Sequence, residues 1–101
     1  EQYEFTIQIS TESGTPLEKT DNIVALVEQK LQNDKRVKSY FTSVGKSTED
    51  RLSYYLEKVS KENLAEIKVK IKQNFHSNRV IADYVQKLKK IPANIHIKKR
   101  E

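Results

Sequence analysis

The sequence predicts an α+β fold: one domain with a four-stranded antiparallel sheet and two helices on one face, in the order βαββαβ. Three observations predict it. Four short strand-like stretches are distributed along the chain, and two longer stretches with apolar residues at helical spacing separate the first from the second and the third from the fourth. The length, 101 residues, suits one hydrophobic core. Only 2 Gly and 2 Pro occur, which argues against a loop-rich or disordered chain.

The first strand is Tyr3, Phe5, Ile7 and Ile9 alternating with Glu4, Thr6, Gln8 and Ser10, a pattern with one buried face. Glu12-Ser13-Gly14 is a turn. Thr15-Pro16-Leu17-Glu18 then reads as a helix start, with Thr15 as N-cap, Pro16 at the first helical position and Glu18 completing a capping box. Leu17, Thr20, Ile23, Val24, Val27 and Leu31 form one apolar stripe to about Gln32. After Asn33-Asp34-Lys35, the β-branched and aromatic run Val37 to Val44 reads as a second strand.

Gly45-Lys46-Ser47-Thr48-Glu49-Asp50 reads as a loop, and Leu52 to Val59 as extended chain. Ala65, Ile67, Val69 and Ile71 alternate with Glu66, Lys68, Lys70 and Lys72 in a third strand. Ser77 can cap a second helix running to about Lys90, with the stripe Val80, Ile81, Tyr84, Val85 and Leu88. Its basic end suits the helix dipole, and Pro92 stops it. Ile95 and Ile97 mark the last strand. Right-handed crossovers place both helices on one face, giving the ferredoxin-like sandwich. The expected core is Phe5, Ile7, Ile9, Ile23, Val24, Val27, Leu31, Tyr40, Ile67, Val69, Ile71, Ile81, Tyr84, Val85, Leu88 and Ile95.

The net charge of +5 conceals an asymmetry: residues 1–50 carry −3 and residues 51–101 carry +8. With 0 Cys, disulfides and thiolate metal sites are excluded. The glycine count excludes dinucleotide-binding and P-loop signatures. The longest purely apolar run, Ile23–Val27, falls far short of the roughly 20 residues that span a bilayer. Glu1 in place of Met, entering a strand pattern almost at once, suggests a processed product or a segment cut from a longer polypeptide.

No catalytic, metal or cofactor site is expected. His76 and His96 read as surface histidines, and Glu49-Asp50 with Glu57 and Glu62 as solvated charge beside Arg51, Lys58 and Lys61. An RNA-binding module shares this layout and is one alternative. Its third strand, however, supplies aromatics and glycine where this chain has Ala65-Glu66-Ile67-Lys68-Val69-Lys70-Ile71. An acylphosphatase-like enzyme would want an Arg-bearing phosphate loop in place of Thr11-Glu12-Ser13-Gly14. A small-ligand regulatory domain of the ACT type is the other alternative.

Several stretches go beyond fold class. TIQISTESGTPLEKT (Thr6–Thr20) resembles the strand, "G-T/A-S/T-L-E-x-T" turn and helix of RND-superfamily transporters. VKSYFTSVG (Val37–Gly45) is similar to that family's "V-x-S-V-F-T-x-V-G". Arg51–Tyr55, NLAEIKVKIK (Asn63–Lys72) and Ile91-Pro92-Ala93 resemble its later "R-F-Y", "A-x-I-x-V-x-L-K" and "I-P-G" segments, in order and over nearly the whole chain. The chain departs from it at Thr11-Glu12-Ser13-Gly14, where many members have "L-P-x-G".

The resemblance implies a PC1-like porter subdomain of a hydrophobe/amphiphile efflux pump. Such a subdomain lies outside the membrane in an inner-membrane protein, on the periplasmic side. It implies rigid-body motion against neighbouring porter subdomains of the same chain, a homotrimeric pump, and a periplasmic adaptor and outer-membrane channel if the source is Gram-negative. It implies an amphiphilic small-molecule substrate and no nucleic acid. Thr6, Gln8, Phe41, Ser43, Lys46, Lys68 and Lys70 are the substrate-cleft candidates, on the helix-free sheet face and the loop after the second strand. Lys68 and Lys70 favour anionic or amphiphilic substrates over cationic ones.

Overall fold

The computed structural model describes residues 3–44 and 63–99. The readings of a loop at 45–50, an extended segment at 52–59 and a cleft role for Lys46 lie outside the described residues. The elements run β1 (Glu4–Ser10), α1 (Leu17–Gln32), β2 (Val37–Val44), β3 (Leu64–Ile71), α2 (Ser77–Lys87), a short 3-10 turn (Leu88–Lys90) and β4 (Asn94–Lys99). The strands form one antiparallel sheet in the order β2-β3-β1-β4, the ferredoxin-like arrangement.

Register fixes which residues share a face. Phe5 lies opposite Val69, Ile7 between Ile67 and Ile97, and Ile9 between Ala65 and Ile95. These rows face the helices and meet Val24, Val27 and Leu31 of α1 and Val80 and Tyr84 of α2 in one core. Leu88 and Ile91 close its end. The sequence reading omitted Ala65, Val80 and Ile91. Of the residues it assigned to the core, Ile23, Tyr40, Ile81 and Ile95 are only half-buried at the margin. Val85 is a correction, being 42 % exposed. Its side of α2 overhangs the β4 edge, where the described sheet ends.

Both helix starts differ from expectation. Pro16 has ψ 151, so it is the N-cap itself and α1 begins at Leu17. Its carbonyl accepts from the amides of Lys19 and Thr20 at 3.0 and 3.2 Å. No side chain caps the helix, and the Thr15–Glu18 capping box does not form. Leu17, at this first turn, is exposed. At α2 the cap position is His76, while Ser77 is already helical and buried. The α-helix stops at Lys87, and the three residues to Lys90 tighten into the 3-10 turn.

The loop between β1 and α1 is held at both ends. Asn63 and Thr11 exchange three hydrogen bonds at 2.9–3.1 Å, and the Thr11 hydroxyl lies 3.3 Å from that of the buried Thr20. Between them, the Thr15 amide donates to the Glu12 carbonyl at 3.0 Å, and Gly14, third in this four-residue turn, has φ 91. A side chain there meets nothing within 4 Å, so its cost is backbone strain alone. Gly14→Ala is expected to destabilise by about 1 kcal/mol. Urea unfolding should show a lower midpoint with an unchanged slope.

Candidate functional site

The helix-free face of the sheet is the candidate site. Its side chains stand in cross-strand rows set by register. Phe41, Lys68, Thr6 and Lys98 form one row, and Ser43, Glu66, Gln8 and His96 the next. Ser39, Lys70 and Glu4 form a third row on the other side. Directly opposed residues in such rows have Cβ atoms about 5 Å apart, so side chains within a row touch or share a ligand.

The placement of Phe41 rests on two hydrogen bonds made by its neighbours. Gln32 of α1 donates through Nε2 to the Tyr40 hydroxyl at 2.8 Å, and the Thr42 hydroxyl donates to Glu28 Oε2 at 2.7 Å. Tyr40 and Thr42 therefore face the helices. Strand alternation turns Phe41 and Ser43 the other way. The Phe41 ring is 62 % exposed.

The structure brings Phe41, Lys68 and Thr6 into one row and places Gln8 and Ser43 on either side of Glu66 in the next. Lys70 stands one row away, opposite Ser39 and Glu4. Lys68 and Lys70 are exposed, whereas Thr6, Gln8 and Ser43 are half-buried. Glu66 departs from the expected outward polar pattern, since it is only 4 % exposed.

At one end of the face, Gln8, Ser10, Leu64, Glu66, Asn94 and His96 line a groove of about 360 Å³. The sequence reading missed this groove. The alternation of β4 already pointed His96 outward, but only the β1–β4 register sets it beside Gln8. The face as a whole presents ammonium, hydroxyl, amide and carboxylate groups, the His96 imidazole and the Phe41 ring. These are groups for non-covalent recognition. Among the described residues, no three potential metal ligands gather at one place, and no helix is long and apolar enough to cross a membrane.

Among the described residues, the strongest electrostatic perturbations lie in the helix layer. Asp34, between α1 and β2, accepts from Arg36 Nε and Nη2, from the Arg36 amide and from the Tyr84 hydroxyl, at 2.6–3.2 Å. Arg36 Nη2 also reaches Asp83 of α2 at 2.7 Å. The Arg36 hydrogen bonds, aided by the Tyr84 hydroxyl, hold the Asp34 carboxyl well below the usual carboxylate range despite burial. Burial, then the bond to Asp34, pushes Tyr84 up. Asp83 is lowered chiefly by Arg36. This cluster ties the α1–β2 connection to α2, a structural role that no sequence motif announced.

No protein-family model matches this chain, and no relative is found among curated proteins.

Proposed function

We propose that this chain is an extracytoplasmic substrate-handling subdomain of an RND-type, proton-driven exporter. The reading is carried by one observation: the segments that resemble the family fall on the elements that the family's pattern requires. The stretch Thr6–Thr20 covers most of β1, a turn with glycine at positive φ, and the start of α1. The stretch that resembles "V-x-S-V-F-T-x-V-G" is β2 up to Val44, and NLAEIKVKIK contains β3. The sheet order supports the same reading.

The subdomain does no covalent chemistry. It moves as a rigid body against a neighbouring subdomain, opening and closing a cleft bordered by the helix-free face. Phe41 offers an apolar contact to an amphiphile, and Lys68, beside it, offers charge to an anionic head group. Energy coupling resides in membrane helices outside this segment.

The test uses the whole gene and the whole pump. The reading frame should continue on both sides into apolar runs of about 20 residues. A frame closing near Glu101 with no such runs overturns the proposal. In the intact transporter, Phe41→Ala and Lys68→Glu are expected to change the substrate profile at unchanged protein abundance. An unchanged profile for both removes these residues from the path.

A further inference from the structure

β4 is one of the two edge strands of the described sheet. Among the described residues, β4 pairs only with β1, so its outer backbone groups have no ladder partner. Its helix-facing residues, Ile95 and Ile97, are half-buried. They continue into a groove of about 440 Å³ whose wall includes Val85, Leu88 and Ala93. Val85 belongs to the apolar stripe of α2 yet stands exposed there.

The groove lining includes Lys89 and no carboxylate. Residues 77–99 carry six Lys and Arg against a single carboxylate, Asp83. Asp83 is already held by Arg36 and Lys87 at 2.7 and 3.4 Å. The open-face residues of β4, His96 and Lys98, alternate with the two isoleucines.

We infer that the β4 edge is a docking site for an extended acidic peptide segment, which adds to the sheet as a fifth strand. A strand laid beside β4 places alternate side chains in the rows already present. On the helix side they meet Ile95, Ile97 and Val85, so that set is apolar. On the open side they meet His96 and Lys98, so that set is acidic. The recognised sequence therefore alternates branched aliphatic residues with Asp or Glu.

Two other occupants fit less well. A second copy of this chain, paired edge to edge, would bring lysine-rich strands together, the usual way in which edge lysines prevent self-association. A nucleic acid strand would want several aromatic platforms, and His96 is the only ring among the groove's lining residues. This inference does not rest on the transport reading.

The test titrates the 101-residue chain with a synthetic peptide of about eight residues in which valine alternates with glutamate. Amide NMR is the readout. Binding is expected with a Kd below about 1 mM, with shifts concentrated at residues 94–99 and slowed hydrogen exchange on β4. Lys98→Glu is expected to weaken binding about tenfold. Val85→Glu, at an exposed site that tolerates it, should do the same. Raising salt from about 0.05 to about 0.5 M should weaken binding several-fold.

Equal binding of a valine–lysine peptide overturns the proposal. So does the absence of shifts, or shifts that map away from β4. Dimerisation of the free chain through β4 assigns the edge to a second copy, and tighter binding of oligothymidylate at the same residues assigns it to nucleic acid. Either result overturns the peptide assignment.

Discussion

Asp34→Ala is expected to destabilise the fold by about 3 kcal/mol, because it leaves the buried Tyr84 and the half-buried Arg36 without their shared acceptor. The Asp34 side chain is only 6 % exposed. It is the only hydrogen-bond acceptor within 3 Å of the Tyr84 hydroxyl among the described bonds, the Lys30 carbonyl being 3.5 Å away. Arg36 keeps Asp83, which limits the loss. The double variant with Tyr84→Phe should cost about 1 kcal/mol less than the sum of the two single changes, since the hydroxyl has already lost its partner.

The effect depends on pH with a definite sign. The folded-state pKa of Asp34 is depressed, so the folded chain binds fewer protons than the unfolded chain between the two values. The stabilisation is fully present above about pH 5 and is lost as pH falls below the ordinary Asp value of about 4. The difference between wild type and Asp34→Ala should therefore shrink as pH falls from about 5 to about 2. Chemical denaturation across that range measures it. A difference that stays constant would mean that the carboxylate is not held by Arg36 and Tyr84 as described.

The second large effect separates two phenylalanines. Phe5→Ala is expected to cost about 3–5 kcal/mol, because the cavity opens in a core that cannot collapse onto it. Phe5 is 1 % exposed and meets the Tyr84 ring at a centroid distance of 6.0 Å. Phe41→Ala is expected to change stability by no more than about 0.5 kcal/mol, because its ring already stands in solvent. Urea unfolding of both variants decides it. Equal losses would place Phe41 under the helices and remove it from the helix-free face.

The amino-acid sequence by itself determined the order of elements and the facing of the strands. Period two in β1 and β3, and one apolar stripe in each helix, leave a single way to bury Phe5, Ile7, Ile67 and Val69 against Val24, Val27 and Tyr84. The helix starts were less legible. A Ser or Thr near a helix start is a statistical preference, and Pro16 and His76 took the cap positions when the flanking loops were tied down by tertiary bonds such as Thr11–Asn63.

The candidate site divides in the same way. Alternation placed Thr6, Gln8, Phe41, Ser43 and Lys68 on one face, and register then sorted them into rows. Only the tertiary structure decided that Glu66 is buried on that face, that Val85 overhangs a free edge, and that Asp34, Arg36, Asp83 and Tyr84 meet. The physical reason is range. Periodicity encodes which side of an element is apolar. Where the sheet ends, and which side chains converge from segments about fifty residues apart, depends on contacts that no local pattern carries.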